Sequence, residues 1–248
     1  MTRILFHFVI IFGLTILTQI GGLAWIAALF FRWKMLTFLL TYAALTMATI
    51  WVAPNFGRVA LDCFDDGALQ VQSLMYCALN RNYVSPELAE VLTDTANAMN
   101  DRFPDTATLV LDANFPFIDG FPLLPHLSHD DGEKVDLAFY YKQEEQYLKS
   151  ATRSPIGYFA FEQGQTDCIP KWPTLRWDFD ILQQLWYSYT LDKERNRALL
   201  QILSNEEQVG KIFVEPHLVK SLDVAHPKIR FQGCRAARHD DHIHLQLK

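Results

Sequence analysis

Five of the eight histidines fall in two short windows more than a hundred residues apart. The first window, "PHLSHDDGEKVDLAFYY" (Pro125–Tyr141), holds His126, His129, a glycine and an aspartate embedded among strand formers. The second, "RHDDHIHLQLK" (Arg238–Lys248), holds His239, His242 and His244. Imidazole and carboxylate are the ordinary protein ligands of zinc. In a strand, residues two apart share a face, so His242 and His244 project together while Ile243, Leu245 and Leu247 face the other way. Gly132 permits a tight turn, so His129 before it and Asp136 after it can converge. Asp136 sits among Val135, Leu137 and Ala138, where an uncompensated carboxylate is costly and a dication would satisfy it. Two neutral imidazoles and one carboxylate leave a fourth zinc position open, the arrangement of catalytic sites. Either window alone is a weak signal. A lone His–Xaa–His pair also serves in surface or capping roles, and an aspartate at the start of a strand commonly caps a turn.

The surrounding elements must bring these windows together. "SPELAEVLTDTANAMNDRF" reads as a helix, with Ser85 as N-cap, Pro86 at the first helical position and Pro104 as terminator. Leu88, Val91, Leu92, Ala96 and Met99 give it one apolar stripe. Residues 191–205 read as a second amphipathic helix. Strands are expected at Thr106–Ala113, Lys134–Tyr141, Lys211–Pro216 and His242–Lys248. Between the first two lies "NFPFIDGFPLLPH", a loop punctuated by prolines and Gly120. Residues 142–180 are irregular, with Pro155, Gly157, Gly164, Pro170 and Pro173. The pattern predicts an α+β domain, a small antiparallel sheet flanked by helices.

The 248-residue chain is half hydrophobic, and the apolar excess lies at its front. No charge occurs from Ile4 to Phe31, nor from Met35 to Ala53, and "RWK" separates the two runs. About 20 apolar residues cross the hydrocarbon, so a hairpin of two membrane helices is expected over residues 4–53. A cleaved signal peptide fits less well, because the first run exceeds the usual apolar core of about 7–15 residues. Arg32 and Lys34 in the linker place it on the cytoplasmic side, with residues 54–248 outside. Cys63, Cys77, Cys168 and Cys234 form no CxxC pair, and outside the cytoplasm they could make two disulfides in three connectivities. The first 53 residues carry three basic and no acidic groups, leaving 19 basic against 28 acidic, a net of −9, for the rest. An acidic domain without basic runs excludes nucleic acid as partner.

Both windows together resemble the penicillin-insensitive murein endopeptidases, within the zinc clan that also holds lysostaphin-like, D-Ala-D-Ala and hedgehog-type domains. The pattern H-x-S-H-x-x-G-x-x-V-D is filled by His126, Ser128, His129, Gly132, Val135 and Asp136. The pattern H-x-x-H-x-H is filled by His239, His242 and His244. "KIFVEPHLVKSL" (Lys211–Leu222) is similar to the family's strand-to-helix segment, and the likeness covers roughly residues 105–248.

The resemblance implies that His129, Asp136 and His244 bind Zn2+, that His242 assists catalysis, and that His239 and His126 line the site, His126 toward substrate. It further implies a zinc peptidase hydrolysing amide bonds in peptidoglycan stem peptides or cross-links. A D,D-carboxypeptidase of the same clan and a non-catalytic wall-binding zinc domain are the alternatives. The expected organisation is an anchor at residues 1–53, a connecting helical region at 54–104 and a peptidase-like domain at 105–248. The anchor would lie in a bacterial inner membrane, with the rest in the periplasm. This sequence departs from the pattern at several points. Asp130 follows the first ligand where the family has a glutamine-like residue. No glutamate in "RHDDHIH" stands ready as general base, leaving Asp240 and Asp241 as candidates. Residues 142–190 are unlike the murein enzymes, which carry no membrane hairpin. His217 reads as a surface histidine, and Trp172, Trp177, Trp186, Tyr187 and Tyr189 as core aromatics unless they wall a binding site.

Overall fold

The computed structural model describes residues 2–164, 166–169 and 172–248, so Pro170, one of the expected loop markers, lies outside the described residues. The helices are α1 (Thr2–Thr18), α2 (Gly21–Leu29), α3 (Lys34–Val52), α4 (Leu74–Ala78), α5 (Pro86–Arg102), α6 (Asp180–Gln183), α7 (Lys193–Asn205) and α8 (Pro216–Ser221). The strands are β1 (Val59–Ala60), β2 (Leu69–Val71), β3 (Tyr83–Val84), β4 (Thr108–Val110), β5 (Lys134–Ala138), β6 (Tyr141–Gln143), β7 (Gln146–Tyr147), β8 (Thr190–Leu191), β9 (Val209–Phe213), β10 (Ile229–Arg230) and β11 (His242–Leu247). Two units are built from interleaved segments. One comprises Met1–Cys63, Leu74–Ala89 and Ala113–Lys134, the other Phe64–Ser73, Glu90–Asp112 and Val135–Lys248.

The first unit corrects the expected membrane hairpin. The front apolar run is two helices, because Gln19 turns left-handed at φ 65° and ends α1. Thr18 Oγ1 then accepts the Gly21 N–H at 2.8 Å, starting α2. A Cβ on Gly22 would come within 2.0 Å of Thr15 Oγ1 and 2.8 Å of the Ile11 carbonyl, so glycine is what lets α2 fold back against α1. At 17 residues, α1 is about 25 Å long, short of the ~30 Å hydrocarbon. Lys34–Phe56 is, among the described residues, the one helical stretch long and apolar enough to cross a membrane. Its Tyr42, Thr46, Thr49 and Ala53 recur at helical spacing on one face. There Tyr42 Oη donates to the Ala78 carbonyl at 2.5 Å, and the Thr49 and Tyr83 hydroxyls lie 2.5 Å apart. Leu39, Leu40, Met47 and Trp51 are exposed. β1 and β3 pair antiparallel, and Cys63 is bonded to Cys77.

The second unit holds a six-stranded sheet in the order β10-β9-β11-β5-β4-β2. β11 runs antiparallel to β9, and β4 antiparallel to β5. At the two edges, however, β2 lies parallel to β4 and β10 parallel to β9, so the expected antiparallel sheet is mixed. Those edge strands have three and two residues, too few to show an alternating pattern. α7 starts on Asp192, whose carboxylate accepts the Arg195 N–H; it packs on β9, and its Ala198, Leu199 and Leu203 are buried. Asn196 on the same helix donates to the Tyr140 carbonyl at 2.9 Å and accepts the Tyr140 N–H at 3.1 Å, fixing helix to sheet. A separate three-stranded sheet has the order β7-β6-β8. Cys168 is bonded to Cys234.

Candidate metal centre

β5 and β11 bring the second half of the first window to the second window. Asp136 is fully buried in β5. Its backbone is spent on the sheet, with N–H to the Asp112 carbonyl at 2.9 Å and carbonyl to the Leu111 N–H at 2.8 Å. The carboxylate therefore faces its partners from a fixed point. Asp136 Oδ1 lies 2.8 Å from His244 Nδ1, and Oδ2 accepts the Tyr158 hydroxyl at 2.7 Å. His242 Nε2 stands 3.6 Å from the same Oδ2. The Tyr158 oxygen also accepts the Asp112 N–H at 3.2 Å.

Alternation along β11 explains the second window. His242, His244 and Gln246 share one face, while Ile243 and Leu245 are buried on the other. The far nitrogen of the His244 ring is held by Gln246, whose Nε2 lies 3.0 Å from His244 Nε2. The His242 ring is held from behind: Nδ1 lies 2.5 Å from Asp241 Oδ1, and Asp241 Oδ2 accepts the Phe159 N–H at 2.6 Å. That carboxylate orients Nε2 toward Asp136. The ring of His239 lies 4.9 Å from that of His242 and 5.7 Å from that of His244, with Phe213 beside it at 5.8 Å.

The turn through Gly132 positions the other histidines. Gly132 adopts φ 85°, its N–H donates to Asn114 Oδ1 at 3.1 Å and its carbonyl accepts the Ser85 N–H at 2.8 Å. His129 is buried, with Nδ1 at 2.9 Å from the Ala113 carbonyl. A carbonyl only accepts, so Nδ1 carries the proton and Nε2 is the basic nitrogen, as a metal ligand requires. The rings of His126 and His129 lie 5.3 Å apart. Along this eleven-residue stretch, donor atoms of His126, His129 and Asp136 all lie within 4.8 Å of one another, a group that could hold a metal ion.

The structure also places the other site candidates. Asp240 and Asp241, the candidate general bases, are both buried. Arg238 clamps Asp240 in a fork at 2.9 and 2.5 Å, and burial nonetheless raises the Asp240 carboxyl above its ordinary range. His217 is not a surface histidine: its Nδ1 faces Thr166 Oγ1 at 3.3 Å and its Nε2 faces Asp240 at 3.8 Å. Burial pushes its pKa down. Trp172, Trp177 and Tyr187 are exposed and form no core, while Trp186 Nε1 donates to the Phe159 carbonyl at 2.7 Å. Reading the sequence missed two residues. Gln246 was available to it, two places beyond His244 on the same strand face. Tyr158 was not, since it comes from the irregular stretch, where no spacing marks it.

No family model matches the chain, and no curated protein matches it.

Proposed function

We propose that this chain is a membrane-anchored zinc peptidase of the cell envelope, hydrolysing amide bonds in peptidoglycan stem peptides or cross-links. The observation that carries the reading is the buried Asp136 carboxylate with the His244 ring nitrogen 2.8 Å from one oxygen, at the meeting of two sequence patterns that resemble the murein endopeptidases. A tetrahedral zinc with bonds of about 2.0–2.1 Å holds neighbouring donors ~3.3 Å apart, so this pair is of the right order to share one ion. His129 through Nε2, Asp136 through Oδ1 and His244 through Nδ1 would hold it. When bound, zinc with three such ligands lowers the pKa of its water to about 7 and polarises a carbonyl.

The remaining groups have roles of their own. The Tyr158 hydroxyl fixes the second oxygen of Asp136. Gln246 sets the His244 ring; with Nδ1 as ligand, Nε2 carries the proton and the amide turns its oxygen to accept it. His242, oriented by Asp241, offers Nε2 to move a proton or stabilise an oxyanion as the amide breaks. His239 lies beside the His242 and His244 rings, and His126 beside His129.

Two further features support an envelope protein. Both cysteine pairs are bonded, which fits an oxidising compartment. α3 hydrogen-bonds to residues 78 and 83, so it is part of the folded unit, as a retained anchor would be. The test is metal content together with digestion of purified sacculi by the full chain in detergent. About one zinc per chain, lost in His129→Ala and in His244→Ala, and new cross-link cleavage products abolished by chelator are expected. Equal metal in wild type and both variants, or unaltered muropeptides, would overturn the proposal. Release of free D-alanine would instead favour the carboxypeptidase.

A further inference from the structure

The loop that carries His126 and His129 has an apolar outer edge. Ile118, Leu124 and Leu127 are 57, 50 and 53 % exposed. Single exposed apolar residues need no explanation, but three between positions 118 and 127 of one loop mark a surface that something covers. The loop is fastened where α1 and α3 end. The Phe117 N–H donates to Gln19 Oε1 at 3.0 Å, the Phe117 ring packs edge-on against Phe56 with centroids 5.1 Å apart, and Asp119 pairs with Arg58. Phe56 is itself 50 % exposed and Trp51, in the last turn of α3, 72 %. The apolar surface therefore continues from the end of the candidate membrane helix, through Phe56, onto the loop.

The same loop is pinned from inside. Arg81 Nη2 donates to the Leu124 carbonyl at 2.7 Å, the Gly120 N–H donates to the Asp130 carbonyl at 2.8 Å, and His129 is tied to Ala113. These bonds hold the rim outward and the imidazoles inward on one rigid support. Between Ala113 and Lys134 the loop carries Asp119, Asp130, Asp131 and Glu133 against Lys134. It has no basic patch to draw it to an anionic surface, so contact has to come from apolar burial and will not weaken in salt.

We propose that the rim of Ile118, Leu124 and Leu127 lies in the headgroup boundary of the bilayer that α3 enters. His126 and His129 then stand at the membrane surface, and a stem peptide tethered to that surface by a lipid is the preferred substrate over the same peptide untethered. The membrane contact stands on the loop and its continuity with the end of α3; the substrate class rests on the peptidase reading above.

The two can be tested separately with the full chain in phosphatidylcholine–phosphatidylglycerol nanodiscs. An environment-sensitive fluorescent amino acid at position 118 should be quenched at least twofold more by doxyl-labelled lipid than the same probe at exposed position 145, equally at low and high salt. Equal quenching at both positions would overturn the membrane contact, whatever the chain does to peptides. In the activity arm, wild type should cleave a lipid-tethered stem peptide at least tenfold faster than the same peptide free in solution. The triple variant Ile118→Asp, Leu124→Asp, Leu127→Asp should lose that advantage and keep its rate on the free peptide. Equal rates on both peptides in wild type would overturn the substrate class. If wild type cuts neither, the peptidase reading fails, and quenching at position 118 still decides whether the rim meets lipid.

Discussion

Asp136 is the side chain on which the site turns, because a buried carboxylate must have its charge answered on every side. Among its neighbours, Tyr158 bridges the Asp136 carboxylate and the Asp112 N–H. If the proposed site holds zinc, Tyr158→Phe is expected to weaken its binding by about 10–100-fold, the usual effect of losing a group that orients a metal ligand, with the fold intact; competition against a chelator of known affinity measures it. Asp241→Asn separates positioning from binding. It keeps the shape behind His242 but weakens the hold on Nδ1, so under the peptidase proposal metal content should stay at wild-type level while turnover drops on the order of 10²-fold. Loss of zinc in Asp241→Asn would mean that this carboxylate supports the ligands and not His242.

Elements differ in how plainly the sequence announces them. β11 was legible because polar and apolar residues alternate through all six of its positions, and α5 because Ser85 caps it, with the Leu88 N–H on its Oγ at 3.2 Å. The edge strands β2 and β10 were not, since their partners and not their composition make them strands. The division of the first apolar run at Gln19 was missed because hydropathy counts residues and takes no account of the Gly21–Gly22 contact with α1. Gly132 is where element geometry can be tested. The backbone there is left-handed, and a Cβ would also oblige the Arg58 guanidinium, 2.5 Å away, to swing aside, so Gly132→Ala should cost about 1–2 kcal/mol, read as a lower melting temperature. α8 offers a test by pH. Burial pushes the Glu215 carboxyl up, but bonds from Arg176, Thr166 and the His239 N–H outweigh it and hold it below its ordinary value. A depressed folded-state value means stability that is full above the ordinary carboxylate range and is lost as pH falls through it. The gap in denaturation midpoint between wild type and Glu215→Gln should therefore be widest near neutrality and narrow below about pH 4.

At the scale of the whole chain the two disulfides carry a prediction about compartment and one about stability. Cys63–Cys77 spans 14 residues and Cys168–Cys234 spans 66. Loop-closure entropy alone gives about 3 kcal/mol for the first and about 4 kcal/mol for the second. The longer loop encloses residues 176 and 215 as well, so its opening frees Arg176 to leave Glu215. Cys168→Ser with Cys234→Ser is accordingly expected to lower the melting temperature more than Cys63→Ser with Cys77→Ser. If residues 54–248 lie outside the cytoplasm, both bonds form during export and persist. Chain taken from membranes under thiol block should then accept no maleimide before reduction and four per chain after it. Free thiols at both pairs in the unreduced chain would place this part of the protein on the reducing side, and the wall would then be out of its reach.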